Sequence, residues 1–185
     1  MKAIFPLIIF AFLLSCKGRN EQKSNDENNK SWSIGRFVDE FGEPTNISYI
    51  TTTVYGTFSN TATENSPLRV VFIITKDNKI SLQLYEYNKN IPVKGYKDSY
   101  QIYVQDKDGN RHTLAASNYN SDRLSLTNYS YSKKLTDTEK LHNILTNGGE
   151  IKFVIIDENR ASSVYRFKID NADWYENAFI KLTDS

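Results

Sequence analysis

Few side chains in this sequence can do acid–base, nucleophilic or metal chemistry. There are two histidines, His112 and His142, and one cysteine, Cys16. A structural zinc site closes on four cysteine or histidine ligands, more than this chain provides. One cysteine also excludes a disulfide within the chain. Serines are plentiful, yet no G-x-S-x-G elbow occurs. Nucleotide-binding G-x-x-x-x-G-K-[ST] and G-x-G-x-x-G loops are missing too. Paired acids for glycoside hydrolysis are defined by separation in space rather than in sequence, so a hydrolase stays as a third reading behind two binding functions.

Two constellations invite a metal. Glu139 and His142 stand three apart on an expected helix, as in carboxylate-bridged metal sites. Those sites need a second such pair on a facing helix, and the chain has none, so an exposed helix face is expected. In Asp106-Lys107-Asp108-Gly109-Asn110, alternating oxygens resemble a calcium loop. An EF-hand loop places glycine sixth and glutamate twelfth; here glycine is fourth and Ser117 holds the twelfth place. Asp-Gly at a hairpin tip accounts for the same residues. No metal ligand, cofactor or catalytic residue is expected.

The positive signal is aromatic, with 12 tyrosines, 10 phenylalanines and two tryptophans. Tyr85, Tyr87, Tyr96, Tyr129 and Tyr131 are the candidate ligand-binding residues, with Tyr103 and Tyr119 also expected on polar faces or in loops. Tyrosine combines rigid apolar area with a polar tip, which suits protein interfaces and stacking on sugar rings. The simpler account is that half-buried strands favour tyrosine. Trp32 and Trp174 are expected to close the core, and Lys133-Lys134 to form a solvated turn.

The elements that must position these residues are mostly short β-type runs. Residues 68–75 (LRVVFIIT) are apolar on both faces, as in a strand covered on each side. Ile80, Leu82 and Leu84 alternate with polar residues, and residues 76–79 (KDNK) supply a hairpin link. Further strands are expected at 47–58, 100–105, 111–115, 124–131, 151–157 and 163–170. Hairpins should join 100–105 to 111–115 and 151–157 to 163–170. Thr136-Asp137-Thr138-Glu139 is a capping box, Leu141, Ile144 and Leu145 share one helix face, and Asn147-Gly148-Gly149 supplies a stop. Asn171 is expected to cap a short terminal helix whose Trp174, Ala178 and Phe179 face inward. The fold class is therefore mainly β, an antiparallel sandwich or barrel with one capped helix and a short C-terminal helix.

Ahead of this domain (residues 32–185) lie two other segments. Lys2 followed by an apolar run over residues 3–14 has the layout of an export signal. It is shorter than the ~20 residues a membrane-crossing helix needs. Residues 17–31 (KGRNEQKSNDENNKS) have no large apolar side chain and are expected to be a disordered tether. Such a coil would span roughly 20 Å.

At the junction, Leu13-Leu14-Ser15-Cys16 resembles the lipobox of bacterial lipoproteins. That resemblance implies cleavage after Ser15, leaving residues 1–15 as signal peptide, and lipidation of Cys16 by several acyl chains. A single chain anchors only marginally, whereas several hold firmly. Leu14 is bulkier than the residue usual in that motif. The composition is similar to that of short lipoproteins of Bacteroidota. The layout of residues 32–182 resembles type VI secretion-associated proteins of the VasI type, with no functional residue carried over.

The chain has 23 lysines and arginines against 22 acids, and loss of Lys2 with the signal leaves a balance. Nothing in that charge attracts nucleic acid. The expected function is a non-catalytic binding or accessory module, lipid-anchored to the outer membrane or another envelope membrane, facing the periplasm or the surface. A protein partner is the first reading and recognition of envelope glycan by exposed tyrosines the second.

Overall fold

A computed structural model describes residues 32–93, 98–118, 122–128, 135–157 and 163–184. The proposed signal, Cys16, the tether, Lys133-Lys134, and Tyr96, Tyr119, Tyr129 and Tyr131 lie outside the described residues.

Among the described residues, nine strands form one antiparallel sheet: β1 (Ser33–Val38), β2 (Pro44–Asn60), β3 (Thr63–Thr75), β4 (Ile80–Glu86), β5 (Asp98–Gln105), β6 (Arg111–Asn118), β7 (Leu124–Leu126), β8 (Ile151–Asp157) and β9 (Val164–Ile169). Their lateral order is β1-β2-β3-β4-β7-β6-β5-β8-β9, with β2 also paired to β9. That last pairing closes β2 through β9 into an eight-stranded barrel and leaves β1 as an extra strand on the first half of β2. The two halves of β2 thus serve different neighbours: residues 44–51 hold β1, and residues 56–59 hold β9. Of the sandwich and barrel expected, the barrel is what forms.

Side-chain alternation drives this closure, because a strand has period two. Leu68, Val70, Phe72 and Ile74 of β3 point inward, as do Ile80, Leu82 and Leu84 of β4, and all are buried. Ile102 and Val104 of β5, Leu114 and Ala116 of β6, Ile151, Phe153 and Ile155 of β8 and Phe167 of β9 complete the filling. At the centre, Phe153 and Phe167 stack at 4.9 Å, with Phe72 edge-on to Phe153 at 5.6 Å. The expected strand at 47–58 is the middle of the longer β2, that at 68–75 is the C-terminal part of β3, and 124–131 is described as a strand only over the three residues of β7.

Among the described residues two helices, α1 (Asp137–Thr146) between β7 and β8 and α2 (Tyr175–Thr183) after β9, pack on the barrel. The capping box forms as expected: Glu139 N–H donates to the Thr136 hydroxyl at 3.2 Å, and Thr136 N–H donates to the Glu139 carboxylate at 2.7 Å. Leu141 and Leu145 are fully buried and Ile144 nearly so, each contributing about 1.5–3 kcal/mol by leaving water. Gly148 and Gly149 both take positive φ, 74° and 75°, to end the helix.

α2 departs from expectation. Asn171 accepts from Asp173 N–H, two residues on, and the N-cap is Trp174, without a side-chain cap. The buried residues are Tyr175, Ala178 and Leu182, and Phe179 packs half-buried against the core as expected, whereas Trp174 is 38% exposed. Tyr175 takes the place expected for Trp174 because its ring meets Trp32 edge-on at 5.0 Å. Trp32, 4% exposed, closes the core as expected and also touches Phe72.

Candidate functional site

The tyrosines foreseen as ligand-binding divide into those the structure describes, Tyr85 and Tyr87, and those outside it. Tyr85 belongs to a patch of the barrel exterior built by strand register, whereas Tyr87 follows β4 and its ring contacts the buried Phe58. Arg69 of β3 is directly opposite Tyr85 of β4, and Tyr55 of β2 is directly opposite Arg69. Three adjacent strands therefore present a row, Tyr55–Arg69–Tyr85, on the outward face.

Arg69 is held within that row. Its guanidinium carbon sits 3.8 Å from the Tyr85 ring centroid, a cation–π contact worth about 0.5–1 kcal/mol at an exposed position. Its Nε donates to the Asn88 carbonyl at 3.3 Å. That carbonyl is delivered by a turn in which Tyr87 and Asn88 both adopt left-handed φ, 51° and 63°. Asparagine tolerates this conformation, whereas a bulky tyrosine in it is uncommon and costly. Tyr87 is held there partly by an edge-on contact with Phe58 at 5.1 Å, and the ring remains 46% exposed. Tyr55 is 66% exposed.

Chemically, the row offers one exposed ring, Tyr55, one half-buried ring, Tyr85, and a guanidinium oriented by its Nε and its flat face. The terminal nitrogens of Arg69 have no partner among the described residues and remain as donors, in the fork geometry that suits carboxylate, phosphate or vicinal hydroxyl oxygens. Sequence reading missed Tyr55 and Arg69. The signal was present, because the turn at residues 76–79 fixes the β3–β4 register and with it the Arg69–Tyr85 pairing.

The nearest end of the barrel interior is polar. Glu86, the last residue of β4, accepts from the Tyr165 hydroxyl at 3.2 Å. Partial burial holds the Glu86 carboxyl above its ordinary range, only partly opposed by that hydroxyl, and burial foremost raises the Tyr165 phenol. Tyr100, Asn118, Asp157 and Tyr165 are each at most 5% exposed, so these groups fill the barrel end as a packed layer.

Residues weighed for metal chemistry have other work. Asp106 organises the β5–β6 turn, accepting from the amides of Asp108 and Asn110 at 3.0 and 2.8 Å, from Asn110 Nδ2 at 3.1 Å and from His112 Nε2 at 2.9 Å. The hydrogen bond with His112 leads in lowering its pKa to about 2. Glu139 serves the helix cap. His142 does not lie on an exposed face as expected: its Nδ1 is 2.8 Å from the Tyr175 hydroxyl and its ring packs on Phe179 at 4.5 Å. Burial lowers the His142 pKa. Among the described residues no three His, Cys, Asp or Glu side chains converge as a metal site would require, and no helix is long and apolar enough to cross a membrane. Comparison with protein-family models, with curated proteins and with solved structures finds no match.

Proposed function

We propose that this chain is a lipoprotein of the cell envelope, cleaved before Cys16 and anchored by acyl chains on it, whose barrel is a non-catalytic binding module. The Tyr55–Arg69–Tyr85 row is the face that meets the partner. The observation carrying this reading is the placement of a guanidinium, oriented but with its terminal nitrogens free among the described residues, between the exposed Tyr55 ring and the half-buried Tyr85 ring. Arginine and tyrosine are the residues that dominate binding energy where proteins meet. The same pattern favours a second reading, an envelope glycan as partner, because hydroxyl and carboxylate oxygens match the fork while sugar faces match Tyr55 and Tyr87.

Two experiments separate the address from the role. Growth with an alkyne-tagged fatty acid should label the chain, and Cys16→Ser should abolish the label; a variant labelled like the parent would remove the anchor. Affinity capture from the native membrane should then enrich a partner that Tyr55→Ala combined with Arg69→Ala fails to hold. Isolated peptidoglycan sacculi serve as the glycan probe. Equal recovery by parent and double variant would exclude this face.

A further inference from the structure

The hairpin that joins β1 to β2 ends in a fixed, acidic tip. Its turn, residues 39–43, is tied by Asp39, whose carboxylate accepts from the amides of Phe41 and Glu43 at 2.9 Å each and whose own N–H donates to the Glu43 carbonyl at 2.9 Å. Gly42 takes a positive φ of 85° to close it. The turn so tied holds Phe41 in water at 84% exposure, the highest among the large apolar side chains described. A ring in that position stabilises nothing within its own chain, since apolar area contributes only when it leaves water.

Around the ring the charge has one sign. Asp39 is engaged in the turn, but Glu40 and Glu43 are exposed and make no side-chain hydrogen bond or ion pair among the described residues. No lysine, arginine or histidine occurs from Phe37 to Leu68, so the turn and the whole of β2 carry no cation. The next basic residue along the chain is Arg69, the centre of the tyrosine row. Its terminal nitrogens have no partner among the described residues, and Tyr55 stands exposed beside it. The row spans three strands, roughly 10 Å at ~4.8 Å between neighbours, and a hairpin tip two strands wide fits across it.

We infer that the row receives the hairpin tip of a second copy of this chain, with Phe41 against the Tyr55 ring and the Glu40 and Glu43 carboxylates at the terminal nitrogens of Arg69. Charge complementarity selects this occupant: the tip has two free carboxylates and the row a free guanidinium fork, which together form short, charge-assisted hydrogen bonds. Contact between the Phe41 and Tyr55 rings adds the apolar part. An anionic membrane surface repels the same tip. Tip and row lie on one chain, so every copy both offers a tip and receives one. The inference rests on the row being the binding face and names what it binds. A contact this small is weak and reversible.

The test uses the full chain extracted from membranes in a nonionic detergent, with self-association read by sedimentation equilibrium in a density-matched buffer. The parent should associate reversibly with a Kd below about 1 mM. Glu40→Arg with Glu43→Arg should weaken this about tenfold or more, and Arg69→Glu should do the same. Each of those variants has like charges on tip and row. A one-to-one mixture of the two restores opposed pairs and should return association to within about threefold of the parent. Phe41→Ser should weaken association about tenfold with the urea midpoint unchanged, and Tyr55→Glu, at an exposed position, is a second row variant that leaves the Arg69–Tyr85 stack in place. A parent that stays monomeric at about 1 mM overturns the inference, as does association indifferent to the charge reversals or a mixture that fails to restore it. After such a result the row survives as a binding face only if Tyr55→Ala with Arg69→Ala still loses a different partner in affinity capture; unchanged capture removes both.

Discussion

Gly56 stands so close to Arg166 that a Cβ built on it would fall 2.1 Å from the Arg166 carbonyl oxygen and 2.7 Å from the Phe167 Cβ. Both neighbours belong to β9, and Gly56 pairs with Phe167 in the register that closes the barrel. No side chain fits there without parting the two strands. Gly56→Ala should therefore destabilise by at least the ~1–3 kcal/mol usual for overpacking. Urea unfolding monitored by tryptophan fluorescence reads this directly, and an unchanged midpoint would mean that the β2–β9 seam is loose.

Leu141 tests the helix. It is fully buried on the inward face of α1, and truncation leaves a cavity that the barrel beneath it can only partly refill. Leu141→Ala should cost about 2–5 kcal/mol, seen as a lower urea midpoint with unchanged slope. A change within error would place α1 off the core.

Local signals made much of this legible. LRVVFIIT, the KDNK link and the Thr136–Glu139 box each carry their instruction within a few residues, and β3, its hairpin and α1 appear where they point. Elements defined by distant partners were not visible. β1 (SIGRFV) exposes or half-exposes every side chain, so it has no buried alternation to announce it, and exists because β2 runs past the barrel and needs a partner. Tyr175, rather than Trp174, turns inward because Trp32, far away in sequence, waits for its ring. The candidate face was half legible for the same reason: Tyr85 stood out by type, whereas Tyr55 and Arg69 acquire meaning only when three strands align.

Glu86 offers a test by pH. Its carboxyl titrates above the ordinary value of 4.5 in the folded protein, chiefly through burial, so the unfolded chain ionises first as pH rises. The folded state binds more protons across that window, and stability falls from about pH 4.5 up to the raised folded value. Glu86→Gln should remove this decline and leave the thermal midpoint higher than the parent's at neutral pH, with the gap narrowing toward acid. Tyr165→Phe should do the opposite: without the hydroxyl at 3.2 Å the carboxylate loses a donor, and the decline extends to higher pH. Parallel pH profiles for all three proteins would show that the pair titrates like free groups.

Asp106 reverses the sign. His112 first, then Asn110 and Asp108, hold its carboxylate at a pKa of about 2, below its ordinary 3.8. In this case the unfolded chain takes up protons first as pH falls. The stability Asp106 supplies is complete above its ordinary value and is lost as pH drops through about 2. Asparagine in its place keeps one acceptor oxygen for four donors, two of them backbone amides of the turn joining β5 to β6. Asp106→Asn should then lower the urea midpoint at neutral pH and converge with the parent as the solution is acidified toward pH 2. Amide exchange should quicken first at Asp108 and Asn110, whose N–H groups the carboxylate accepts. If added calcium instead stabilised the parent and not the variant, the carboxylate would be a ligand rather than the organiser of the turn, and the assignment made from its four hydrogen bonds would fall.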